Sequence, residues 1–156
     1  MNALCSILTG ALALSLAGCS SDSGSDFADA GFNCDLETRD DTYSMGMSKP
    51  GTAGYQVVLM DSTPAPPAKG NNDWQLQIVD DTGAPADGMD VTVTPFMPDH
   101  NHGTPIESEV TPTGSNGEYS VTPVNLWMPG LWRVTVDIGD GSGDVDAVEF
   151  FFCING

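Results

Sequence analysis

"LWRVTVDI", residues 131–138, alternates without a break. Trp132, Val134, Val136 and Ile138 fall on one side; Arg133, Thr135 and Asp137 fall on the other. Successive side chains of an extended chain point to opposite faces, so this stretch reads as a strand with one face in a core and one in water. "WQLQIV" (74–79) repeats the pattern, with Trp74, Leu76 and Ile78 set against Gln75 and Gln77. Working outward, five more apolar or β-branched runs appear: "YQVVLM" (55–60), "VTVTPFM" (91–97), "IESEV" (106–110), "YSVTP" (119–123) and "VDAVEFFFC" (145–153). Pro95 interrupts the second of these, which marks an edge strand or a strand end. Breaker-rich segments separate the runs, among them "PAPPAKGNN" (64–72), "DDTGAPADG" (80–88) and "GDGSGD" (139–144). Asn116-Gly117 is the pair favoured in a type I′ hairpin turn, where both residues need positive φ. No amphipathic helix follows residue 19. The pattern predicts an all-β chain, an immunoglobulin-like two-sheet sandwich of about seven strands.

The chain has 156 residues, enough for one such domain. Lys and Arg total 4 against 22 Asp and Glu, giving a formal charge of −18. Phosphate contacts need cationic side chains, so this balance argues against a nucleic-acid partner. It fits a surface outside the cytoplasm, or adaptation to salt. The apolar fraction of 40% is enough to build a core rather than a disordered chain.

"LCSILTGALALSLAGC" (4–19) is apolar as far as Gly18 and then meets a cysteine. It is as long as a signal-peptide hydrophobic region and short for a bilayer span. Its end, Leu16-Ala17-Gly18-Cys19, resembles a bacterial lipobox, which implies cleavage before Cys19 and a lipid on its sulfur. No Lys or Arg precedes the run, and the competing reading is a buried N-terminal helix. The expected organisation is a lipoprotein signal peptide over 1–18, a Ser-, Gly- and Asp-rich lipid-anchored tether over 19–33, and the sandwich over 34–156. The lipid on Cys19 makes the membrane a partner. With Ser20 after the cysteine, the expected location in a Gram-negative cell is the outer membrane, facing the periplasm or the cell surface. Cys5 leaves with the signal peptide. Cys34 and Cys153 remain, and in an oxidising envelope they are expected to form a disulfide. Soft-metal ligation is the alternative for this pair.

"TPFMPDHNHGTP" (94–105) holds both histidines of the chain, His100 and His102, three and five residues after Met97. "LWMPGLW" (126–132) echoes it: an aromatic, then Met128, then proline. Proline holds the residue before it extended, which fixes the backbone of Met97 and Met128. If the histidines are extended too, the period of two points both to one side. Two imidazoles and one or two thioethers then converge at one end of the sandwich, a donor set suited to copper. Thioether sulfur is neutral and soft and favours Cu(I); neutral imidazole takes Cu(I), Cu(II) or Zn(II). Each residue also has a plainer reading. Met97 is in phase with Val91 and Val93 and suits the core, Met128 between Trp127 and Leu131 does likewise, and the H-x-H pair suits a solvated loop. Met45 and Met47, in "SMGMS", form an M-x-M pair that reads either as an additional Cu(I) arm or as ordinary surface and packing residues.

The run from "GNNDWQLQIV" through "MPDHNHGTP" to "GEYSVTPVNLWMPGLWRVTV" resembles the YtkA-like and FixH-like domains, over roughly residues 55–138. These are small envelope sandwiches with M-P-x-H-x-H followed by a Met-rich M-x-G-x-W segment. The resemblance implies copper handling, and carried over it implies Met97, His100 and His102 as ligands, with Met128 as a fourth. Asp99, Asn101 and Pro129 depart from the family pattern. A copper-accepting envelope protein is the implied partner.

Other chemistry is poorly represented. "DIGDGSGDVDAVE" (137–149) misses the calcium-loop spacing, with no Gly at the sixth position from Asp140 and no Glu at the twelfth. No G-x-S-x-G, P-loop, H-E-x-x-H or C-x-x-C motif occurs. A catalytic zinc site wants three firm protein ligands and a base, and two histidines fall short of it. The expectation is therefore a protein without catalytic turnover. It is either a lipid-anchored copper binder that delivers or buffers the metal, or a non-catalytic structural or interaction module with no metal.

Overall fold

The computed structural model describes residues 32–114 and 116–156. The stretch expected to be a signal peptide, Cys5, Cys19 and nearly all of the expected tether lie outside the described residues. Within them the chain is all-β apart from a 3₁₀ turn at Cys34–Leu36. The strands are β1 (Met47–Pro50), β2 (Gln56–Thr63), β3 (Gly70–Val79), β4 (Asp90–Met97), β5 (His102–Gly103), β6 (Glu109–Pro112), β7 (Glu118–Leu126), β8 (Gly130–Gly139) and β9 (Asp144–Ile154).

They form two sheets. One has the order β1-β2-β3-β7-β6 and the other β5-β4-β8-β9. Every strand pairing is antiparallel. The seven runs read from the sequence are the seven main strands, within a few residues at each end. β1 and β5 are additions, each short and at a sheet edge.

The alternation works as the sequence implies. Trp74, Leu76 and Ile78 point from β3 into the interior, where they meet Trp132, Val134, Val136 and Ile138 from β8 in one buried cluster. Trp74 packs edge-on against Phe150 and Phe152 of β9, with ring centroids 6.2 and 5.7 Å apart. Edge-to-face contact brings the positive ring edge to the negative face, so these pairs add to simple burial. Tyr119 on β7 crosses to the other sheet, and its hydroxyl accepts the Met89 N–H at 2.9 Å just before β4. Asn116 and Gly117 have φ of 68° and 64°, as the I′ turn between β6 and β7 requires.

Cys34 and Cys153 are joined in a disulfide. It fastens the segment that precedes β1 to the last strand. Asp41 continues the attachment: its N–H donates to the Phe151 carbonyl at 2.7 Å, and its carboxylate accepts the Phe151 N–H at 2.7 Å. The edge of β9 is thereby engaged at Phe151, where a free backbone donor and acceptor would otherwise face solution.

Candidate metal centre

β4 and β5 form a hairpin in which Met97 pairs with His102 and Phe96 with Gly103. Directly opposed residues on antiparallel strands project to the same face. The pairing therefore sets His102 beside Met97 at the rim of the inner face. Residues 98–101 make the turn. Here one expectation is corrected. His100 and His102 are not on one extended run, because Asn101 has φ of 53°, the left-handed conformation. The turn brings the imidazoles together all the same, with centroids 5.7 Å apart and planes tilted by 48°.

The second motif meets the first at this rim. Gly130, in "MPG", has φ of +131°, and a Cβ there would stand 2.6 Å from Met97 Cε. Only glycine leaves room for that methyl group. Trp127, at the start of the motif, lies with its ring centroid 5.7 Å from His102 and its plane tilted by 33°. Met128 is half-buried and packs against the core. The two sequence motifs thus touch through Met97–Gly130 and His102–Trp127.

Three side-chain anchors hold the rim. Arg39 donates to both oxygens of Asp99, at 2.8 and 2.7 Å, which ties the turn to the disulfide-bonded N-terminal segment. Glu37 in turn accepts from Arg39 at 2.8 and 2.7 Å. The Arg39 guanidinium holds the Asp99 carboxyl below its usual range and, with backbone N–H bonds, lowers Glu37 to about 2. Behind β5, the Thr104 hydroxyl donates to Asn125 Oδ1 at 2.6 Å, and Asn125 Nδ2 donates to Asn71 Oδ1 at 2.6 Å. Trp132 Nε1–H donates to the Met128 carbonyl at 2.9 Å.

The imidazoles have a defined chemistry in this setting. His102 Nδ1 lies 2.9 Å from the Gly103 carbonyl oxygen. A carbonyl only accepts, so in neutral His102 the Nδ1 carries the proton and Nε2 presents its lone pair. Such a bond to one ring nitrogen is how metal-ligating histidines are commonly oriented. A metal–nitrogen bond of about 2.0 Å places a ring centroid roughly 3.1 Å from an ion, so two rings on one ion sit up to about 6 Å apart. The 5.7 Å separation of His100 and His102 falls within that limit. The donor set fits a soft ion better than a hard one. Asp99, the nearest carboxylate in sequence, is engaged by Arg39. Among the described residues, no three His, Cys, Asp or Glu side chains converge.

The remaining sequence candidates divide. Met97 is 1% exposed and belongs to the core cluster, the plainer of its two readings. Met47 sits in β1 opposite Leu59 and packs on the core, whereas Met45 is exposed in the turn before β1, where Gly46 has φ of 76°, so the turn separates the M-x-M pair. Cys34 and Cys153 are consumed by their disulfide, which leaves neither as a thiolate ligand. A groove of about 490 Å³ along β4 includes Phe96, Gly103 and Ile106 in its wall but neither imidazole. Sequence reasoning missed Trp127, whose position next to Met128 was the available signal. It also missed the Arg39–Asp99 clamp, for which a separation of 60 residues left none.

The YtkA-like family model matches residues 51–137, more than half of the chain. The chain belongs to the YtkA-like family. The match speaks to the YtkA-like half of the resemblance and not to the FixH-like half. It spans the YtkA-like strands β2 to β7 and most of β8, including both motifs of the rim. The two disulfide cysteines and β9 lie beyond the matched stretch. No curated protein and no solved structure matches the chain.

Proposed function

We propose that this YtkA-like protein is a lipid-anchored envelope domain that binds Cu(I) at the His100–His102 rim and buffers it or delivers it to a copper-accepting envelope protein. The observation that carries the reading is the pair of imidazoles 5.7 Å apart, with His102 Nε2 left free by the Gly103 carbonyl and Met97 paired beside it. His100 and His102 supply nitrogen, and the half-buried Met128 is the sulfur donor open to the rim; Met97, a donor on the sequence pattern, would have to turn its sulfur out of the core to join them. Copper is cargo here, and the protein performs no turnover on it. Neutral, few and rim-placed donors hold an ion without trapping it, as a carrier requires. The anchor rests on the lipobox-like end at Cys19, and the disulfide supports an oxidising compartment such as the envelope.

A second reading has its own support. Met97 is sealed in the core with its methyl against Gly130, as expected of a metal-free structural or interaction module. Metal analysis separates the two. The protein is loaded with copper, desalted and assayed beside His100→Ala and His102→Ala. The copper reading expects about one bound copper, lost or strongly reduced in each variant. Equal copper in all three samples removes it and leaves the module.

A further inference from the structure

β4 has a full-length partner on one side only. β8 pairs with it from Asp90 to Phe96, whereas β5 reaches only Phe96 and Met97. After Gly103 the chain leaves this lane: the Thr104 hydroxyl bonds Asn125 of the other sheet, and Pro105 has no N–H to continue a ladder. The backbone groups facing the vacated lane follow from one contact. A Cβ on Gly103 would stand 3.1 Å from the Pro95 carbonyl oxygen, so that carbonyl points toward β5. Alternate residues of a strand turn their N–H and C=O to the same edge. Val91 and Val93 therefore present theirs to the lane, while Thr92 and Thr94 bond β8. Among the described residues, no turn or loop backbone bonds the main chain of Val91 or Val93. The lane is also the groove of about 490 Å³, lined by Val93, Phe96, Gly103 and the exposed Ile106 among others. The other sheet edges are blunted. β1 is short, with Lys49 and Pro50; β6 is short and ends in Pro112; β9 is engaged at Asp146 and Phe151 by residues that precede β2. β4 carries no Lys, and its register with β8 is unbroken.

We propose that this edge is a docking site for an extended, cationic segment of a partner protein, which adds to the sheet as a strand beside Val91 and Val93. The docking needs no copper, since neither imidazole lines the groove. An added strand lies about 4.8 Å from β4 and exchanges about four hydrogen bonds with the N–H and C=O groups of the two valines. Main-chain bonds give such a ligand its affinity, and its alternate side chains give specificity. The residue opposite Val93 projects to the same inner face, so a small apolar side chain suits that position. Charge selects the partner. Among the described residues, Glu107 is the only charged side chain lining the groove, and the chain carries −18 overall. A Lys or Arg on the segment is drawn by both. A second copy of the chain would bring the same acidic field and another Glu107, so like charge opposes self-pairing along β4.

The test follows backbone amide exchange in the purified full chain by NMR. In the free protein, Val91 and Val93 should exchange faster than Thr92 and Thr94, whose N–H groups bond β8. The probes are short acetylated and amidated peptides of alternating Thr and Val, one with Lys at both ends and one with Glu. The Lys-ended peptide should slow exchange at Val91 and Val93 about tenfold at roughly nine-tenths occupancy. Glu107→Lys changes an exposed side chain and should weaken binding of that peptide about three- to fivefold. The Glu-ended peptide should bind the native chain more weakly than the Lys-ended one. A Lys-ended peptide N-methylated at every residue keeps its charge and side chains but has no backbone donors, and should protect neither valine. Equal binding of the methylated peptide, or failure of both unmethylated peptides to protect the valines, overturns the proposal. Equal binding of the Lys-ended and Glu-ended peptides overturns the cationic assignment. Protection that rises with protein concentration in the absence of peptide makes the occupant a second copy and overturns the partner assignment.

Discussion

Gly130 offers the sharpest test of how the two motifs pack. Alanine at this position meets two costs. The backbone φ of +131° is one that L residues rarely adopt, which costs about 1–3 kcal/mol. The new Cβ would also stand 2.6 Å from Met97 Cε, well inside contact distance. Met97 is enclosed, so relief requires turning its end off a preferred rotamer, at roughly 0.5–1.5 kcal/mol. The single variant should lose about 2–4 kcal/mol. Met97→Ala alone leaves a cavity and should lose about 2–5 kcal/mol. In the double variant the colliding methyl is gone, and the Cβ of residue 130 fills part of the space it left. The double loss should therefore fall short of the sum by about 1 kcal/mol or more. The assay is urea unfolding with the disulfide intact, comparing midpoints at a common slope. Additivity within about 0.5 kcal/mol refutes the contact, and with it the claim that the motifs are packed through Met97.

Two further expectations concern the frame around the rim. The disulfide spans 119 residues of sequence, so replacing both Cys34 and Cys153 by serine should cost about 4–5 kcal/mol on the chain-entropy account; an unchanged urea midpoint rules that account out here. Asp146 is buried, which pushes its carboxyl up, but N–H bonds from Thr52, Tyr55, Ala53 and Ala147 outweigh burial and leave it lowered overall. A carboxyl held below its unfolded value stabilises the fold above that value, near pH 4, and the stabilisation is lost as pH falls toward the folded value. Asp146→Asn should thus be less stable at pH 7 and lose less on going from pH 5 to pH 2; midpoints that fall in parallel for both proteins contradict the assignment.

The strands were legible where a single physical signal dominated. β3 and β8 alternate because each has one face in the core, and their inward residues are the ones that alternation names. β3 starts four residues earlier than its apolar run, because Asn72 is a buried polar residue in loop-like sequence. Its side chain accepts the Ala68 N–H and donates to the carbonyls of Ala68, Gly70 and Val124, a local bonding pattern that composition does not reveal. β1 and β5 escaped because four and two residues are too few to show a period. The disulfide was readable by elimination and compartment. At the rim the structure brings together His100 and His102, which the sequence named, but by a different geometry. Alternation was invoked to align His100 with His102, whereas the left-handed Asn101 folds them together. Trp127 and Arg39 reach the histidine turn only through tertiary packing, which a one-dimensional pattern does not encode.

Arg39 gives the rim a logic beyond rigidity. Asp99 precedes His100 directly, and a free carboxylate there would put a hard anionic oxygen beside two imidazoles. Such a set favours divalent ions over Cu(I). Arg39 engages both carboxylate oxygens, and Glu37 accepts from the other side of the guanidinium. The clamp thus fixes the turn and engages both oxygens in charged hydrogen bonds to Arg39. Arg39 reaches the turn from the segment fastened by Cys34–Cys153. On the copper reading, the staple outside the YtkA-like match therefore does more than stabilise a small acidic sandwich: it holds in place the residue that keeps the donor set soft.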